Sequence, residues 1–233
     1  MSLEAQSITK EYTRKGKKSS FFALKNTDLV LADGELTVLK GRSGSGKSTL
    51  LNIFAGLSKP TSGKIFLDGT DIYSLGDGPL SVLRNTLIGV IPQEHFAIHT
   101  LSVLQNVCLP SVLFHKDGDV ESRGFELLKL LGISELAGSS PSELSGGELR
   151  RMSAARALIN NPRVILADEP TGDLDDENTE LIFELLRKKA REGASVLVVT
   201  HENDAEKYAD RSLKIQNGTL EYIPVQEEKE AII

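Results

Sequence analysis

The spacing of apolar positions divides the chain into three. The first part is strand-like. Two β-prone stretches, Leu3–Thr9 and Phe21–Leu31, flank the basic run Arg14-Lys15-Gly16-Lys17-Lys18. That run predicts a solvated hairpin tip, with a phospholipid-facing loop as the lesser alternative. After the turn signal Asp33-Gly34, the short strand Glu35–Lys40 (ELTVLK) ends in the glycine-rich run Gly41–Gly46. Leu50, Leu51, Ile53, Phe54 and Leu57 then fall at helical spacing and predict a helix over Lys47–Leu57. The segment Lys59-Pro60-Thr61-Ser62-Gly63 breaks it, and strands are expected at Lys64–Leu67 and Leu87–Pro92.

The middle part, from Glu94 to Asn160, has helical spacing and no convincing strand, as in Phe125, Leu127, Leu128, Leu130 and Leu131. It reads as a helical insertion with loops at His115–Asp119 and Gly138–Ser142. Alternation of strand and helix then returns: a strand at Val164–Ala167, a helix at Asn178–Arg191, a strand at Ser195–Thr200 (SVLVVT). Short apolar runs of this kind suit a parallel sheet covered on both faces. Asn217-Gly218 predicts a hairpin between Leu213–Gln216 and Thr219–Tyr222, and the tail Gln226–Ile233 is charged. There is no internal repeat. The pattern predicts an α/β fold with right-handed crossovers.

Composition narrows the function. The chain has 233 residues, enough for one large domain or a core with a side lobe. With 33 acidic and 27 basic residues, its net charge of -6 argues against nucleic acid as the main partner. A charged fraction of 26% argues against wholesale disorder. The single cysteine, Cys108, excludes an internal disulfide; among Leu104, Val107 and Leu109 it reads as a packed residue. No apolar run exceeds about four residues, whereas a membrane-spanning helix needs about twenty. Met1-Ser2-Leu3-Glu4 shows no signal-peptide pattern, so the chain is expected to be soluble and intracellular. His95, His99 and His115 are scattered without metal spacing and read as surface or interface residues.

Three motifs carry chemistry. Gly41-Arg42-Ser43-Gly44-Ser45-Gly46-Lys47-Ser48 matches G-x-x-x-x-G-K-[ST] between a strand and a helix. Its glycines allow positive φ, so that backbone N–H groups can converge on phosphate oxygens. The helix that follows offers unpaired donors and its positive dipole end. Lys47 would reach the β- and γ-phosphates, and Ser48 would supply a hydroxyl to Mg²⁺. A chance match in a chain of this length is roughly a one-in-a-hundred event. The second motif is the strand end Val164-Ile165-Leu166-Ala167-Asp168-Glu169. Ligands of parallel sheets gather at such ends, so Asp168 is expected to hold Mg²⁺ through water. Glu169 is expected to point elsewhere by strand alternation and to polarise an attacking water. Acidic pairs also merely open helices and turns; the phosphate loop upstream favours the functional reading. The third is Pro141-Ser142-Glu143-Leu144-Ser145-Gly146-Gly147-Glu148, ahead of the helical pattern Leu149–Ile159. Ser145 and Glu148 have capping-box spacing. Two glycines there weaken the helix by about 1 kcal/mol each, which makes sense if a backbone or phosphate approaches closely. The chain thus carries two phosphate-binding helix N-termini but one lysine loop. Either two lobes of one chain fold together on a nucleotide, or two chains share it.

These residues resemble the ABC (ATP-binding cassette) ATPases. LSGGE at Leu144–Glu148 is similar to the family signature and lies between the Walker A and Walker B matches, in the family's order. Gln93 resembles the Q-loop glutamine that touches Mg²⁺ and the attacking water and senses the transmembrane partner. Thr171-Gly172-Asp173-Leu174-Asp175 resembles the D-loop at the dimer interface. His201 matches the switch histidine on the γ-phosphate, and Tyr12 the aromatic that stacks on adenine. The strings PSELSGGE and ADEPTGDLD are most similar to the lipoprotein-release and macrolide-export branch, which includes a cell-division ATPase and peptide-resistance exporters. Leu149-Arg150-Arg151 and Asp173 depart from that branch, where Gln-Gln-Arg and Asn are usual.

The resemblance implies a P-loop NTPase with a RecA-like parallel-sheet core, an antiparallel β subdomain and an inserted helical subdomain. Core and β subdomain would span 1–93 and 161–222, the helical subdomain 94–160 and a tail 223–233. It implies two copies head to tail around two ATP·Mg²⁺. Tyr12, Gly41, Ser43, Gly44, Ser45, Gly46, Lys47, Ser48, Thr49, Gln93 and His201 of one chain would hold nucleotide against Ser145 and Gly147 of the other. Glu169, His201 and Gln93 would be catalytic, and Ser48, Gln93 and Asp168 would hold the metal. A separate membrane-spanning permease would be driven, with this subunit on the inner face of the cell membrane. Three functions follow from the resemblance: the motor of a transporter for lipophilic or peptide cargo, a mechanical or signalling ATPase on a membrane partner, or a nucleotide-binding module without meaningful hydrolysis. Glu169 and His201 argue against the third.

Overall fold

The computed structural model describes residues 2–13, 19–94, 96–114, 118–172, 174–202 and 204–223. The basic run Arg14–Lys18, His95, His115, Asp173 and the charged tail lie outside the described residues.

Two sheets organise the chain. The antiparallel sheet contains four strands among the described residues, β1 (Ser2–Thr13), β2 (Ser20–Ala32), β4 (Ser62–Leu67) and β5 (Thr70–Asp71), in the order β2-β1-β4-β5. The other sheet contains β3 (Leu36–Lys40), β6 (Ile88–Ile91), β7 (Val164–Asp168), β8 (Ser195–Thr200), β9 (Arg211–Gln216) and β10 (Thr219–Ile223). Its order is β10-β9-β3-β8-β7-β6, and every neighbouring pair except β10–β9 is parallel. Register places Leu36 beside Val196, Val164 beside Ser195 and Ile88 beside Val164.

The unbroken apolar runs of β7 and β8 arise because both faces of this sheet are covered. Val164, Leu166, Leu197 and Val199 point toward the antiparallel sheet and α1 (Lys47–Phe54), where they pack with Leu39, Leu50, Ile53 and Phe54. Ile165, Ala167, Val196 and Val198 point the other way. There they meet α5 (Gly146–Leu158) and α6 (Asp176–Arg191) through Met152, Ala155, Leu158, Phe183 and Leu186. Helices α3 (Val103–Val112) and α4 (Val120–Leu130) pack on α5, and Val107 and Leu128 belong to the same apolar cluster. The helical segment therefore shares the core of the parallel sheet instead of building a core of its own.

Several boundaries differ from the sequence expectation. Helix α1 stops at Phe54, not Leu57: Gly56 turns left-handed at φ +69°, and Leu57 is 60% exposed. A helix stands where none was expected, α2 over Asp77–Leu87, so Leu87 ends a helix and the strand begins at Ile88. Only Leu80 of α2 is fully buried; Leu83 and Leu87, at helical spacing from it, pack partly buried on the same cluster, so the apolar face is narrow. In α4, Leu127 and Leu128 are buried, with Leu131 just beyond, while Phe125 and Leu130 are exposed. Helix α5 begins at Gly146, three residues before the apolar pattern, and α6 at Asp176, behind its Asp175 cap. Among the described residues no helix is long and apolar enough to cross a membrane.

Candidate functional site

Strand β3 leads through residues 41–46 into α1. Gly44 and Gly46 adopt φ of +75° and +112°. At Gly46 a side chain would also strike the Ala23 carbonyl, so only glycine fits. No side chain caps α1 at Gly46, which leaves its first amide donors for an anion. Lys47 is only 7% exposed. Its Nζ donates to the Gly41 carbonyl at 2.7 Å and lies 3.7 Å from Glu169 Oε1. The cation is thus stationed at the loop's mouth by one dipole and one carboxylate.

The ends of β7 and β8 bring the acidic groups to the loop. Asp168 is buried and takes a hydrogen bond from the Ser48 side chain, yet its Oδ1 has no partner. Burial raises its carboxyl above the ordinary range, the Glu169 charge adds to this, and Ser48 and Lys47 oppose it. A buried orphan carboxylate oxygen beside a hydroxyl is a donor set that suits Mg²⁺, a hard cation that prefers oxygen. Gln93 is exposed on the same cleft.

Glu169 does not follow strand alternation. Strand β7 ends at Asp168, and Glu169 takes φ +47°. The break in the pleat keeps its carboxylate at the site with Asp168, so the expectation that it points away by alternation is corrected. Oε2 accepts from Thr200 Oγ1 at 2.9 Å and from the His201 N–H at 3.3 Å, and lies 3.0 Å from His201 Nδ1. The Glu169 side chain is 10% exposed and the His201 side chain 70% exposed, so a fixed carboxylate stands behind an open imidazole.

Around the loop, Glu169 and His201 lies a cleft of about 640 Å³; Asp168 is not among the residues that line it. It gathers Tyr12, Ser43, Gly44, Ser45, Gly46, Lys47, Ser48, Thr49, Gln93, Glu169 and His201. Gly41 sits behind the wall as the acceptor for Lys47. Phe21, Ala23 and Arg42 also line it and were not expected from the sequence. Phe21 stands opposite Tyr12 in the β1–β2 register, with ring centroids 5.9 Å apart and planes inclined by 32°. Only the register of that hairpin could have disclosed the pair.

Ser145 and Gly147 do not line this cleft. Ser145 caps α5: its hydroxyl accepts from the Glu148 N–H at 3.3 Å and donates to Glu148 Oε2 at 2.7 Å. The bonds its carboxylate accepts from the Ser145 hydroxyl and from the Ser145 N–H, also at 2.7 Å, lower the Glu148 carboxyl. Neither Gly146 nor Gly147 is left-handed, and a side chain at Gly146 would meet open space. The missing side chain at Gly146 therefore leaves the helix end open from outside, whereas at Gly147 a Cβ would lie 3.1 Å from the Leu174 side chain; no backbone twist requires either glycine. In the following loop Thr171 donates to Glu202 at 2.7 Å, and Asp175 caps α6 through the Asn178 N–H at 2.8 Å. Cys108 is buried as expected, with its thiol raised chiefly by burial, and His99 is exposed. Among the described residues there is no metal-binding cluster of His, Cys, Asp and Glu.

The family model described as ABC transporter matches residues 24–172. The chain belongs to the ABC transporter family. The lipoprotein-releasing system ATP-binding protein LolD of Buchnera aphidicola subsp. Schizaphis graminum is 38% identical over 220 residues, covering 94% of this chain and 95% of the relative. The uncharacterized ABC transporter ATP-binding protein YvrO of Bacillus subtilis (strain 168) is 41% identical over 219 residues, with the same two coverages of 94% and 95%. Among solved structures, the dimeric bacterial ABC transporter cassette MJ0796 superimposes with a TM-score of 0.87 at 37% identity, covering 94% of this chain and 96% of that one. A dimer of the same cassette in a post-hydrolysis state, bound to ADP and Pi, gives a TM-score of 0.88 at 36% identity, covering 94% and 98%. The fold is that of the ABC ATPases, an α/β P-loop core with an antiparallel sheet beside it, and the chain is an ATPase of that family.

Proposed function

We propose that this chain is the ATP-hydrolysing motor of an ABC transporter that extracts or exports lipophilic or peptide cargo. The membrane-spanning permease is a separate protein, and the cassette sits on the cytoplasmic face of the membrane through it. Two copies close head to tail over two nucleotides. The observation that carries this reading is the division of parts: Lys47, Glu169 and His201 converge on one cleft, while Ser145 and Gly147 sit apart from it at the start of α5, where Gly146 faces open space. A second chain brings the missing donors. The LolD relative favours the lipoprotein-type branch; a mechanical or signalling role on a membrane partner uses the same chemistry.

In the closed pair, Tyr12 and Phe21 stack on the adenine, and the loop amides with Lys47 cradle the phosphates. Mg²⁺, when bound, neutralises charge on the β- and γ-oxygens; Ser48, Gln93 and Asp168 are the residues that would hold it. A water on Gln93 attacks the γ-phosphorus, Glu169 takes its proton, and the bond to the bridging oxygen breaks to leave ADP and phosphate. His201 steadies the γ-phosphate. Helices 94–160 and the surface beside Gln93 carry closure to the permease. Glu169→Gln tests this reading. Phosphate release falls about 10²–10⁴-fold, while ATP affinity stays at the wild-type value. Turnover at the wild-type rate overturns the assignment.

A further inference from the structure

Arg150 links two parts of the molecule that the proposed reading assigns to different nucleotides. It lies on α5, five residues beyond Ser145, and is only 4% exposed. Its guanidinium crosses to the end of β7, where Nη1 donates to the backbone carbonyl of Glu169. The Gly172 N–H reaches the same carbonyl at 3.3 Å.

Glu169 needs such anchors. A residue with a side chain at φ +47° occupies a sparsely populated backbone region and stays there only when its surroundings over-determine it. Its N–H donates to the Val199 carbonyl at 2.8 Å, and its carboxylate is held by Thr200 and His201. Those three groups belong to β8 or the residue after it. Arg150 is different in origin, because it comes from the helix whose N-terminus displays Ser145. An α-helix rises about 1.5 Å per residue, so Ser145 and Arg150 are separated by only about 7.5 Å of continuous helix. Over such a length a helix moves as a rod. Displacement of the Ser145 end shifts the guanidinium, hence the Glu169 peptide plane, hence the carboxylate that faces the cleft.

We infer that Arg150 is a positioning residue that couples occupancy of the partner's nucleotide, felt at Ser145 and Gly147, to the setting of Glu169 over its own. The inference rests on the proposed reading, in which Glu169 is the base and Ser145 serves the opposite site. It makes the two sites of the dimer fire cooperatively through a contact inside each chain.

The test uses the full-length protein and three variants at this position. Arg150→Met keeps much of the length but removes every donor; Arg150→Gln and Arg150→Lys each keep one donor group. Arg150→Met lowers turnover per nucleotide-binding site by tenfold or more and brings the Hill coefficient for ATP toward one, while the affinity of the monomer for ATP stays within about twofold. Arg150→Gln and Arg150→Lys recover turnover and cooperativity at least in part. Thermal melts of all variants report any plain loss of stability, which changes the folded fraction but not the Hill coefficient or the rate per occupied site. If Arg150→Met does not fold, the ordering of Gln and Lys against wild type in Hill coefficient decides. Wild-type turnover and cooperativity in Arg150→Met refute the coupling, as does a Gln or Lys variant no better than Met. Failure of the underlying reading shows differently: Glu169→Gln would then keep full turnover, whatever the Arg150 variants do.

Discussion

Replacing Asp168 by asparagine should make the nucleotide-free protein more stable and the loaded protein less so. The carboxylate is buried with Oδ1 unpartnered, accepts from Ser48, and faces the negative Glu169. A buried acceptor left without a bond costs about 1–3 kcal/mol, and more when charged. Asparagine keeps the shape and an acceptor for Ser48, removes the charge, and leaves an amide in place of the orphan oxygen. The net gain is on the order of 1 kcal/mol, or about 2–4 °C in Tm for a chain of this size. The pH dependence has a definite sign. Because burial raises the Asp168 carboxyl, the folded chain binds its proton more tightly than the unfolded chain. The wild-type contribution is therefore favourable below the ordinary aspartate range and is lost as pH rises through the raised folded value. The advantage of Asp168→Asn should vanish in acid and reach its full size at neutral pH. Magnesium and ATP reverse the order. A ligand present at a hundredfold excess over Kd stabilises the folded state by about 2.7 kcal/mol, and the variant forfeits most of the magnesium-dependent part. Thermal melts in EDTA across pH, and then with Mg²⁺ and ATP, measure both effects. A variant that melts below wild type in neutral EDTA, or that gains as much as wild type from Mg²⁺ with ATP, refutes the reasoning.

Gly46→Ala combines a left-handed backbone with a collision against the Ala23 carbonyl, so it should cost about 2–4 kcal/mol in urea denaturation and abolish nucleotide binding. A loss below about 0.5 kcal/mol, the range of ordinary surface changes, would show that the loop can shift freely. Ser145→Arg places a large cation on the open end of α5, outside the cleft. Each monomer should still bind ATP while steady-state phosphate release disappears, and a variant with wild-type turnover would rule out composite sites.

Legibility in the sequence depended on how local the physical cause was. The conformation of the glycine-rich loop could be read because its cause is written in consecutive residues: positive φ at Gly44 and Gly46, then Lys47 and Ser48 at the helix start. The buried strands Val164–Asp168 and Ser195–Thr200 could be read because both of their faces are covered. Helix α2 was missed although Leu80, Leu83 and Leu87 fall at helical spacing, because only Leu80 is fully buried and the helix opens on Asp77-Gly78-Pro79, a turn-like string. The overlong estimate of α1 has a similar source: Leu57 keeps the helical spacing, but Gly56 turns the chain and sends it to solvent. Phe21 escaped notice because its pairing with Tyr12 depends on the β1–β2 register, and β1 contains several irregularities in its pairing with β2.

Glu169 shows the limit most clearly. Alternation is a property of regular strand backbone, and it holds through Asp168, where β7 stops. One residue later a left-handed turn, fixed by Val199, Arg150 and Gly172 from three places in the chain, brings the second carboxylate back to the first. No pattern within ADEP could announce that, because every group that enforces it is remote in sequence except Gly172. The same geometry explains why two adjacent acids can do different work. Asp168 lies deep with Oδ1 unpartnered, where the proposed reading puts the cation, whereas Glu169 is tied on one oxygen by Thr200 and His201 and keeps the other beside Lys47. A strained backbone step is thus what converts a repeated residue type into a division of labour, and its dependence on Arg150 places that step under the control of the helix that bears Ser145.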